Sequence, residues 1–139
     1  MRQAAHTLAI GTSGTGLYEC TPEICDWVRQ TGIRFGMMTV FVQHTSASLL
    51  IQENADPDVQ ADLKDFFEKL APESHSGYRH QSEGLDDMPA HIRSALTQTQ
   101  LSIPVIDGRP ALGTWQGIFL FEHRRAANRR HVLLHLLGE

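Results

Sequence analysis

The chain has 139 residues, a length at which one domain buries about two thirds of its unfolded surface. Hydrophobic residues make up 41% of the sequence, which excludes a disordered chain, and the net charge of −4 excludes the basic excess of general nucleic-acid binders. No apolar stretch is long enough to span a membrane, and the N-terminus MRQAAHTLAIGTSG lacks the apolar region of a secretory signal.

The two cysteines, Cys20 and Cys25, have a spacing that suits neither a zinc pair nor a disulfide framework. Cys25 falls in a helical pattern, where a thiol packs as a small hydrophobic group. We therefore expect a cytoplasmic protein under reducing conditions, with no nucleic-acid and no membrane partner.

The first predicted elements are two short strands and a helix. The strands cover residues 6–10 and 16–20, and the Gly, Ser and Thr residues between them are typical of a turn. The segment TPEICDWVRQTG predicts a helix, because Thr21 suits the N-cap, Pro22 the first turn and Gly32 the C-terminal stop. Its apolar face holds Ile24, Trp27 and Val28.

Residues 37–44 predict a strand whose apolar face ends in a histidine. Val40, Val42 and His44 share one face, because alternate side chains of a strand point the same way. An imidazole in line with buried valines needs a polar partner, so His44 is the first candidate site residue. Small hydroxyl residues follow it, and residues 48–52 predict another strand.

The segment DPDVQADLKDFFEKLAP predicts the clearest helix of the chain. Asp56 suits the N-cap, Pro57 the first position, and Pro72 ends the pattern. An apolar stripe is predicted to face the core, and it holds Val59, Leu63, Phe66, Phe67 and Leu70.

Residues 72–86 predict a long polar loop, and long loops in compact domains are often functional. A third helix is predicted to begin near Pro89, capped by Asp86 or Asp87. Its predicted buried residues are Ile92, Ala95 and Leu96.

Three strands are predicted to close the chain, at about 100–106, 115–122 and 129–137, with the turn DGRPALG between the first two. This element order lacks the regular βαβ alternation of a parallel sheet. We expect a single domain over residues 1–139 of the α+β class, with antiparallel, sandwich-like sheets and about three flanking helices. The arginines near its end predict a solvated edge strand, and they are Arg124, Arg125, Arg129 and Arg130.

Eight histidines are the main chemical signal of the sequence. The segment RHQSEGLDDMPAHI brings His80 and His91 close to three carboxylates. His123 directly follows Glu122 at the end of an apolar strand, where adjacent side chains point to opposite faces unless the strand bulges.

The histidines near the end of the chain, His131 and His135, are four residues apart. On a helix this spacing forms a zinc-ligand pair, but the intervening VLL fits a strand equally well. The glutamate of an HExxH motif is missing, so we favour a structural role for this pair.

The blocks HTSAS, NADPDV, DDMPAHI, GTWQGI and EHR resemble those of the YjbQ-like family, in the family's order and over essentially the whole chain. The resemblance implies a homotrimer of α+β subunits. It also implies a pocket where His44, the loop from His80 to His91 and the GTWQ–EHR strand meet. The family's motif positions fall on His44, Thr45, Ser46, Asn54, His80, Asp86, His91, Trp115, Gln116, Glu122 and His123.

The resemblance further implies secondary thiamine-phosphate synthase activity, in which an aminopyrimidine-methyl pyrophosphate condenses with a thiazole phosphate and pyrophosphate leaves. We expect a divalent metal at the histidines, zinc first and magnesium second. The expected metal ligands are His44, His80, His91 and His123. The expected catalytic residues are His44, Asp86, Glu122 and His123. Contacts to the small phosphorylated substrate are expected from Thr45, Ser46, Asn54, Trp115 and Gln116.

Several alternatives stay open on the sequence. Protonated histidines and a helix N-terminus could bind phosphate without a metal. The protein could instead be a metal-dependent hydrolase, or a non-catalytic trimeric module that binds a phosphorylated small molecule. Trp115 fits stacking on a heteroaromatic ring and packing in the core equally well.

Overall fold

The computed structural model describes residues 1–139 as two antiparallel sheets and three helices, which confirms the predicted α+β class. The elements are β1 (Arg2–Thr12), β2 (Gly16–Glu19), α1 (Thr21–Thr31), β3 (Gly36–Val42), β4 (Ala47–Glu53), α2 (Pro57–Leu70), α3 (Asp87–Leu96), β5 (Gln100–Ile106), β6 (Arg109–Pro110), β7 (Gln116–Glu122) and β8 (Asn128–Gly138). None of the helices has the length and apolar character needed to cross a membrane.

The larger sheet has five strands in the order β1-β8-β3-β5-β6. Strand β8 lies between β1 and β3, and its alternate residues Val132, Leu134 and Leu136 are fully buried. The prediction of a solvated edge strand around the arginine run is therefore wrong. Arg130 is buried in an ion pair with Glu122, because the central position of β8 places its guanidinium inside the fold.

The smaller sheet has the order β2-β7-β4 and is buried on both faces of its central strand. Ile118 and Leu120 of β7 belong to the main core, together with Ile24 and Val28 of α1. Phe121 points the other way and meets Phe67 of α2 edge to face, with ring centroids 5.5 Å apart. Residues 117–121 of β7 are therefore an apolar run, because α1 and the larger sheet pack on one face of the strand and α2 packs on the other.

Helix α1 begins at Thr21 itself, so the predicted N-cap role of this residue is wrong. The Thr21 hydroxyl donates to Glu19 Oε2 at 2.8 Å and accepts from the backbone N–H of Ile118 at 2.8 Å. The side chain thus ties the helix start to β7. Gly32 ends the helix at φ 72°, in the left-handed region that glycine favours, as predicted.

Helix α2 has the predicted N-cap but not the predicted burial. The Asp56 side chain accepts from the N–H of Asp58 at 2.9 Å. No residue of α2 is buried, and Phe66 and Leu70 are 57% and 52% exposed. The expectation that the whole apolar stripe faces the core is wrong, because α2 packs on the molecule mainly through Phe67.

Helix α3 turns a polar face toward the protein, contrary to the prediction. Its buried residues include Asp87, Arg93 and Ser94, whereas Leu96 is 58% exposed and Ala95 is exposed. The charged groups can be buried because they have partners: Arg124 holds Asp87, and the carbonyls at the end of α2 accept from Arg93. Asp86 precedes the helix without capping it by its side chain.

Candidate functional site

A group of three potential metal ligands forms where the loop after α2 meets α3. Asp87 is the first residue of α3, His91 follows one turn later, and His80 comes from the loop. One ligand atom from each residue lies within 4.8 Å of the others. We call this group the His80–Asp87–His91 cluster.

Both imidazoles of the cluster point Nε2 at the same carboxylate oxygen. The Nε2 atoms of His80 and His91 lie 2.6 Å and 3.1 Å from Oδ2 of Asp87. Both nitrogens are within hydrogen-bond distance of this oxygen, so the three residues could share a proton or hold a metal ion at this point.

The tautomer of His91 is set by the backbone. Its Nδ1 lies 2.9 Å from the carbonyl oxygen of Thr45, which can only accept, so Nδ1 carries the hydrogen. In the neutral ring, Nε2 then presents its lone pair toward Oδ2 of Asp87. Two lone pairs repel each other unless a proton or a metal lies between them. A donor bond from the far nitrogen to a carbonyl is also how metal-binding histidines are oriented.

Asp87 is held in its ionised form. Burial alone raises the pKa of this carboxyl, but the hydrogen bond from His80 and the charge of Arg124 outweigh burial and lower the pKa below its usual value. Arg124 Nη1 donates to Oδ1, which leaves Oδ2 for the histidines. Two imidazoles and one ionised carboxylate are donor groups that could hold a divalent metal ion.

His44 lies outside the cluster, and both of its ring nitrogens face donors. Nε2 accepts from the backbone N–H of His131 at 2.8 Å, and Nδ1 lies 3.4 Å from Nη1 of Arg130. Partial burial and the charge of Arg130 lower the pKa of His44, so its ring is neutral. Within one chain, this arrangement offers no free nitrogen of His44 to a metal.

His123 also lies apart from the cluster. Its ring is fully buried, and Nε2 lies 2.8 Å from the hydroxyl of Ser48. Burial and the nearby charge of Arg93 lower the pKa of His123 to about 3. The structure therefore brings together two of the four expected metal ligands, His80 and His91, and adds Asp87.

Glu122 forms a closed ion pair beneath His44. Its carboxylate accepts from Arg130 Nε at 2.8 Å and from the hydroxyl of Thr12 at 2.6 Å. Burial raises the pKa of Glu122, but the bonds from Arg130 and Thr12 outweigh it and lower the pKa. Ser46 Oγ accepts from the same guanidinium at 2.9 Å. We call these residues the Glu122–Arg130 network, and it supports the strand ends that carry His44.

Asp86, the last of the four expected catalytic residues, is connected to the cluster through Arg124. Its Oδ2 accepts from Arg124 Nε at 3.1 Å and from the backbone N–H of Arg125 at 2.9 Å. Burial raises the pKa of Asp86, but these two bonds outweigh it and lower the pKa. Because Arg124 also binds Asp87, one guanidinium sets the position of both carboxylates.

Three expected substrate contacts lie at the other end of the smaller sheet. Ala47 pairs with Glu122 at the cluster end of β4 and β7, whereas Glu53 pairs with Gln116 at the far end. A seven-residue strand spans about 20 Å, so within one chain these contacts do not reach the cluster. The three residues are Asn54, Trp115 and Gln116.

The GTWQG motif has a structural explanation at that far end. Gln116 Oε1 accepts from the N–H of Gly113 at 2.7 Å, and Asn54 donates to Glu19 Oε2 at 3.0 Å. A Cβ atom on Gly117 would lie 2.5 Å from that same Glu19 oxygen. The motif therefore specifies a turn and a close strand contact, and Trp115 stays 63% exposed.

A groove adjoins the cluster on the His91 side. One part, of 250 Å³, is lined by His44, Thr45, His91, Ser94, Ala95 and Thr99. It continues into a part of 430 Å³ along Phe41 and Gln43. The Ser94 hydroxyl is buried and has no hydrogen-bond partner within the chain. The expected contact Thr45 lies in this groove, whereas Ser46 is buried beneath it.

The sequence interpretation did not select Asp87, Ser94 or Arg124 as site residues. A signal for Asp87 was present, because residues four apart share a helix face and Asp87 is four before His91. No local signal identifies Ser94 or Arg124. Arg124 binds carboxylates that lie 38 and 37 residues away in the chain, and Ser94 lines the groove because α3 packs beside His44 and Thr45.

The chain is similar to proteins of one family over nearly its full length. A sequence model of the family described as UPF0047 protein YjbQ-like matches residues 6–139. The UPF0047 protein sll1880 of Synechocystis is 55% identical over 138 residues, covering 99% of this chain and 94% of that protein. The UPF0047 protein YjbQ of Escherichia coli O157:H7 is 40% identical over 134 residues, covering 96% of each chain.

Solved structures share the fold. The conserved hypothetical protein TT1486 of Thermus thermophilus superposes with a TM-score of 0.85 at 33% identity, covering 95% of this chain and 99% of that one. An uncharacterised conserved protein of the YjbQ/UPF0047 family from Clostridium acetobutylicum gives a TM-score of 0.87 at 31% identity, with the same coverage.

Proposed function

We propose that this chain, which belongs to the YjbQ-like UPF0047 family, is a divalent-metal-dependent enzyme acting on a small phosphorylated substrate. One observation carries the proposal: Nε2 of His80 and of His91 converge on one oxygen of Asp87, while Nδ1 of His91 is bonded to a carbonyl. This donor set suits zinc, with magnesium as the second choice.

The reaction to test first is thiamine-phosphate synthesis. A thiazole nitrogen would attack the methylene carbon of the aminopyrimidine, and the carbon–oxygen bond to pyrophosphate would break. A bound divalent cation would stabilise the charge on the leaving pyrophosphate. The groove hydroxyls of Thr45, Ser94 and Thr99 would bind phosphate oxygens and hold the substrate beside the cluster.

The donor set of the cluster favours a second candidate, a hydrolase. Two histidines and a carboxylate with an open position form one of the sites in which zinc enzymes activate water. The shared prediction of both candidates is turnover that requires the cluster. Binding of phosphorylated ligands without turnover would instead identify a non-catalytic module.

We further propose that the protein is a cytoplasmic homotrimer. Its free cysteines, Cys20 and Cys25, support a reducing compartment. Exposed apolar side chains on the helices support self-association, because a monomer in water gains by covering them. They include Phe66, Leu70 and Leu96.

The test measures metal content and product formation in the same preparations. Wild type, Asp87→Asn and His91→Ala are compared with His75→Ala, a matched control on an exposed loop position. We expect zinc at about one ion per chain in wild type and the control, and loss of both zinc and thiamine phosphate formation in the two cluster variants.

The outcomes separate the candidates. Equal trace rates in all four proteins would contradict the synthase activity, and zinc-dependent cleavage of a phosphate ester would then support the hydrolase. Retention of zinc by Asp87→Asn and His91→Ala would contradict the cluster itself as the metal site.

A further inference from the structure

The largest cavity of the chain, of 710 Å³, lies between helix α1 and the hairpin of β5 and β6. One wall is a face of α1 that carries Thr21, Cys25 and Arg29 at four-residue spacing. Another wall is the hairpin turn at Asp107 and Gly108. No residue of the His80–Asp87–His91 cluster or of its groove lines this cavity.

Backbone contacts hold two walls of the cavity together. Asp107 and Gly108 have φ angles of 51° and 75°, the left-handed conformation of a two-residue hairpin turn. The N–H of Gly108 donates to the carbonyl oxygen of Arg34 at 2.9 Å, which joins this turn to the segment after α1. The cavity is therefore formed by the chain itself, as ligand pockets usually are.

The charged side chains at the cavity are mostly basic, although the whole chain has a net charge of −4. Three arginines and one aspartate line the cavity: Arg29, Arg34, Arg109 and Asp107. Arg34 lies 2.8 Å from Asp107, and Arg29 pairs with Asp26 of its own helix, whereas Arg109 takes part in no ion pair. The lining therefore has positive charge that its own carboxylate does not neutralise.

Arg29 is only weakly committed to its partner. The side chains of Arg29 and Asp26 are both more than half exposed, and exposed pairs contribute little, so a ligand anion can compete for this guanidinium. Burial and Asp26 raise the pKa of the Cys25 thiol, and the charges of Arg29 and Arg109 only partly oppose this rise. Both guanidinium charges thus act on one side chain of the cavity wall.

Gln116 adds a neutral donor to the same cavity. Its Oε1 accepts from the N–H of Gly113 at 2.7 Å, so the amide nitrogen is at the other side of the group and has no partner in the chain. Gln116 is one of the expected substrate contacts that do not reach the His80–Asp87–His91 cluster, and it lines this cavity instead.

Apolar side chains complete the lining. Ile33 and Pro110 are buried, and Leu112 packs against the core. An inorganic ion would fill only a small part of 710 Å³ and would leave these side chains without a contact. The combination of guanidinium, amide and apolar groups suits an organic molecule with a charged end.

We propose that this cavity binds a small organic dianion, in which two negative charges lie beside an apolar group. Arg29 and Arg109 bind the anionic oxygens, and Gln116 donates a further hydrogen bond. The apolar group contacts Ile33 and Leu112. Phosphate monoesters and dicarboxylates share this chemistry. The inference does not rest on the proposed metal site.

Cys25 reports on this cavity, because Cys20 is 2% exposed and burial raises the pKa of its thiol to about 12. Iodoacetate and iodoacetamide alkylate the same sulfur and differ in one negative charge. Their rates at Cys25 are measured by mass spectrometry of the peptide. We expect the ratio of the iodoacetate rate to the iodoacetamide rate to be at least about threefold higher in folded protein than in urea-unfolded chain, and high salt should reduce this difference.

Protection of Cys25 from iodoacetamide then measures ligand binding. Phenyl phosphate and phthalate are the two probes, and they separate a phosphate ester from a dicarboxylate. Benzyl alcohol and inorganic phosphate are the controls, because the first lacks the charge and the second lacks the apolar group. We expect at least one probe to bind at least about tenfold more tightly than either control. Binding at the metal site would leave Cys25 unprotected, so this readout is separate from the proposed function.

Substitutions at exposed positions test the named contacts without disturbing the core. Arg109→Gln should lower both the rate ratio and the probe affinity, the affinity at least about tenfold, whereas Arg109→Lys should keep the rate ratio. Gln116→Glu keeps the oxygen that accepts from Gly113 but replaces the donor with a negative charge, so it should also weaken the probe. Arg129→Gln, on exposed β8, changes the net charge equally and should match wild type.

Three results would overturn the inference. The first is the same rate ratio in folded and unfolded chain. The second is that neither probe binds more tightly than its controls. The third is an equal loss of probe affinity in Arg109→Gln and Arg129→Gln, which would assign the binding to net charge and not to this cavity.

Discussion

Two buried carboxylates of this fold, Glu122 and Asp87, have basic partners that differ in exposure to solvent. We call the Glu122 pair closed, because its partners are buried, and the Asp87 pair open, because two of its partners are partly exposed. Glu122 is fully buried, and its partners Arg130 and Thr12 are buried too. Asp87 is equally buried, but two of its partners are histidines, and the side chains of His80 and His91 are 40% and 32% exposed. A guanidinium keeps its charge at any working pH, whereas an imidazole can lose its proton to solvent and then bind a metal ion through the freed lone pair.

The two carboxylates differ in whether their partners leave room for a ligand. The Glu122–Arg130 network joins β1, β7 and β8 and has no position left for a ligand. The His80–Asp87–His91 cluster joins a loop to a helix and keeps one side open to solvent. The first therefore stabilises the fold, and the second leaves two imidazoles within reach of solvent.

The largest effect is expected from removing one charge of the closed pair. Glu122→Gln leaves Arg130 buried without its counter-ion, which costs about 3–5 kcal/mol of unfolding free energy. The mirror change in the open pair, Asp87→Asn, should cost only about 1–2 kcal/mol in metal-free protein. Urea unfolding of both variants measures the comparison, and equal losses would contradict the distinction between a closed and an open pair.

A smaller effect is expected from pH, through His123. Burial lowers the pKa of this ring from 6.5 to about 3, so below pH 6.5 the unfolded chain binds a proton that the folded chain does not. The contribution of His123 to stability is thus complete above pH 6.5 and falls by up to about 1.4 kcal/mol per pH unit as the pH drops toward 3.

The matched variant for this prediction is His123→Gln, which has no titrating group at that position. Urea unfolding at pH 7 and pH 5 should show a loss about 2 kcal/mol larger in wild type than in the variant. The same pH slope in both proteins would contradict a neutral, buried His123. The Glu122–Arg130 network does not affect this comparison, because both proteins contain it and a carboxyl with a lowered pKa loses its contribution mainly below its ordinary pKa of 4.5.

The smallest effect on the folded chain is expected from the exposed face of α2. Phe66→Ser combined with Leu70→Ser removes side chains that are more than half exposed, so the stability of a single chain should change by less than about 0.5 kcal/mol. If this face contributes to the proposed trimer, the mass in solution should nevertheless fall, which light scattering measures. Lys69→Ser, on the same helix, is the control expected to keep the wild-type mass. An unchanged mass in the double variant would rule out this face as the contact.

Local signals predicted most elements because they depend on neighbouring residues. The strand at 100–106, the cap at Asp56 and the stop at Gly32 all agree with the structure. Each depends on side-chain alternation or on a capping geometry that a few adjacent residues determine.

The facing of the helices was decided by tertiary contacts. The apolar residue Leu96 suggested the buried side of α3, but Asp87 and Arg93 face inward instead. The partner of Asp87 is 37 residues away in the chain, and the carbonyl that accepts from Arg93 Nη2 is 22 residues away. Burial of a charged group depends on such distant partners, which a local pattern does not contain.

The candidate site also has features that the sequence predicts and features that only tertiary contacts determine. The sequence by itself determined which residue types are available: histidines, carboxylates and small hydroxyl residues in recognisable blocks. Only the tertiary structure decided that His80 and His91 share Asp87 and that His44 faces donors. It also decided that His123 lies in a separate polar environment. The physical reason is that a metal or ligand site depends on the positions of single nitrogen and oxygen atoms, and packing between distant segments sets those positions.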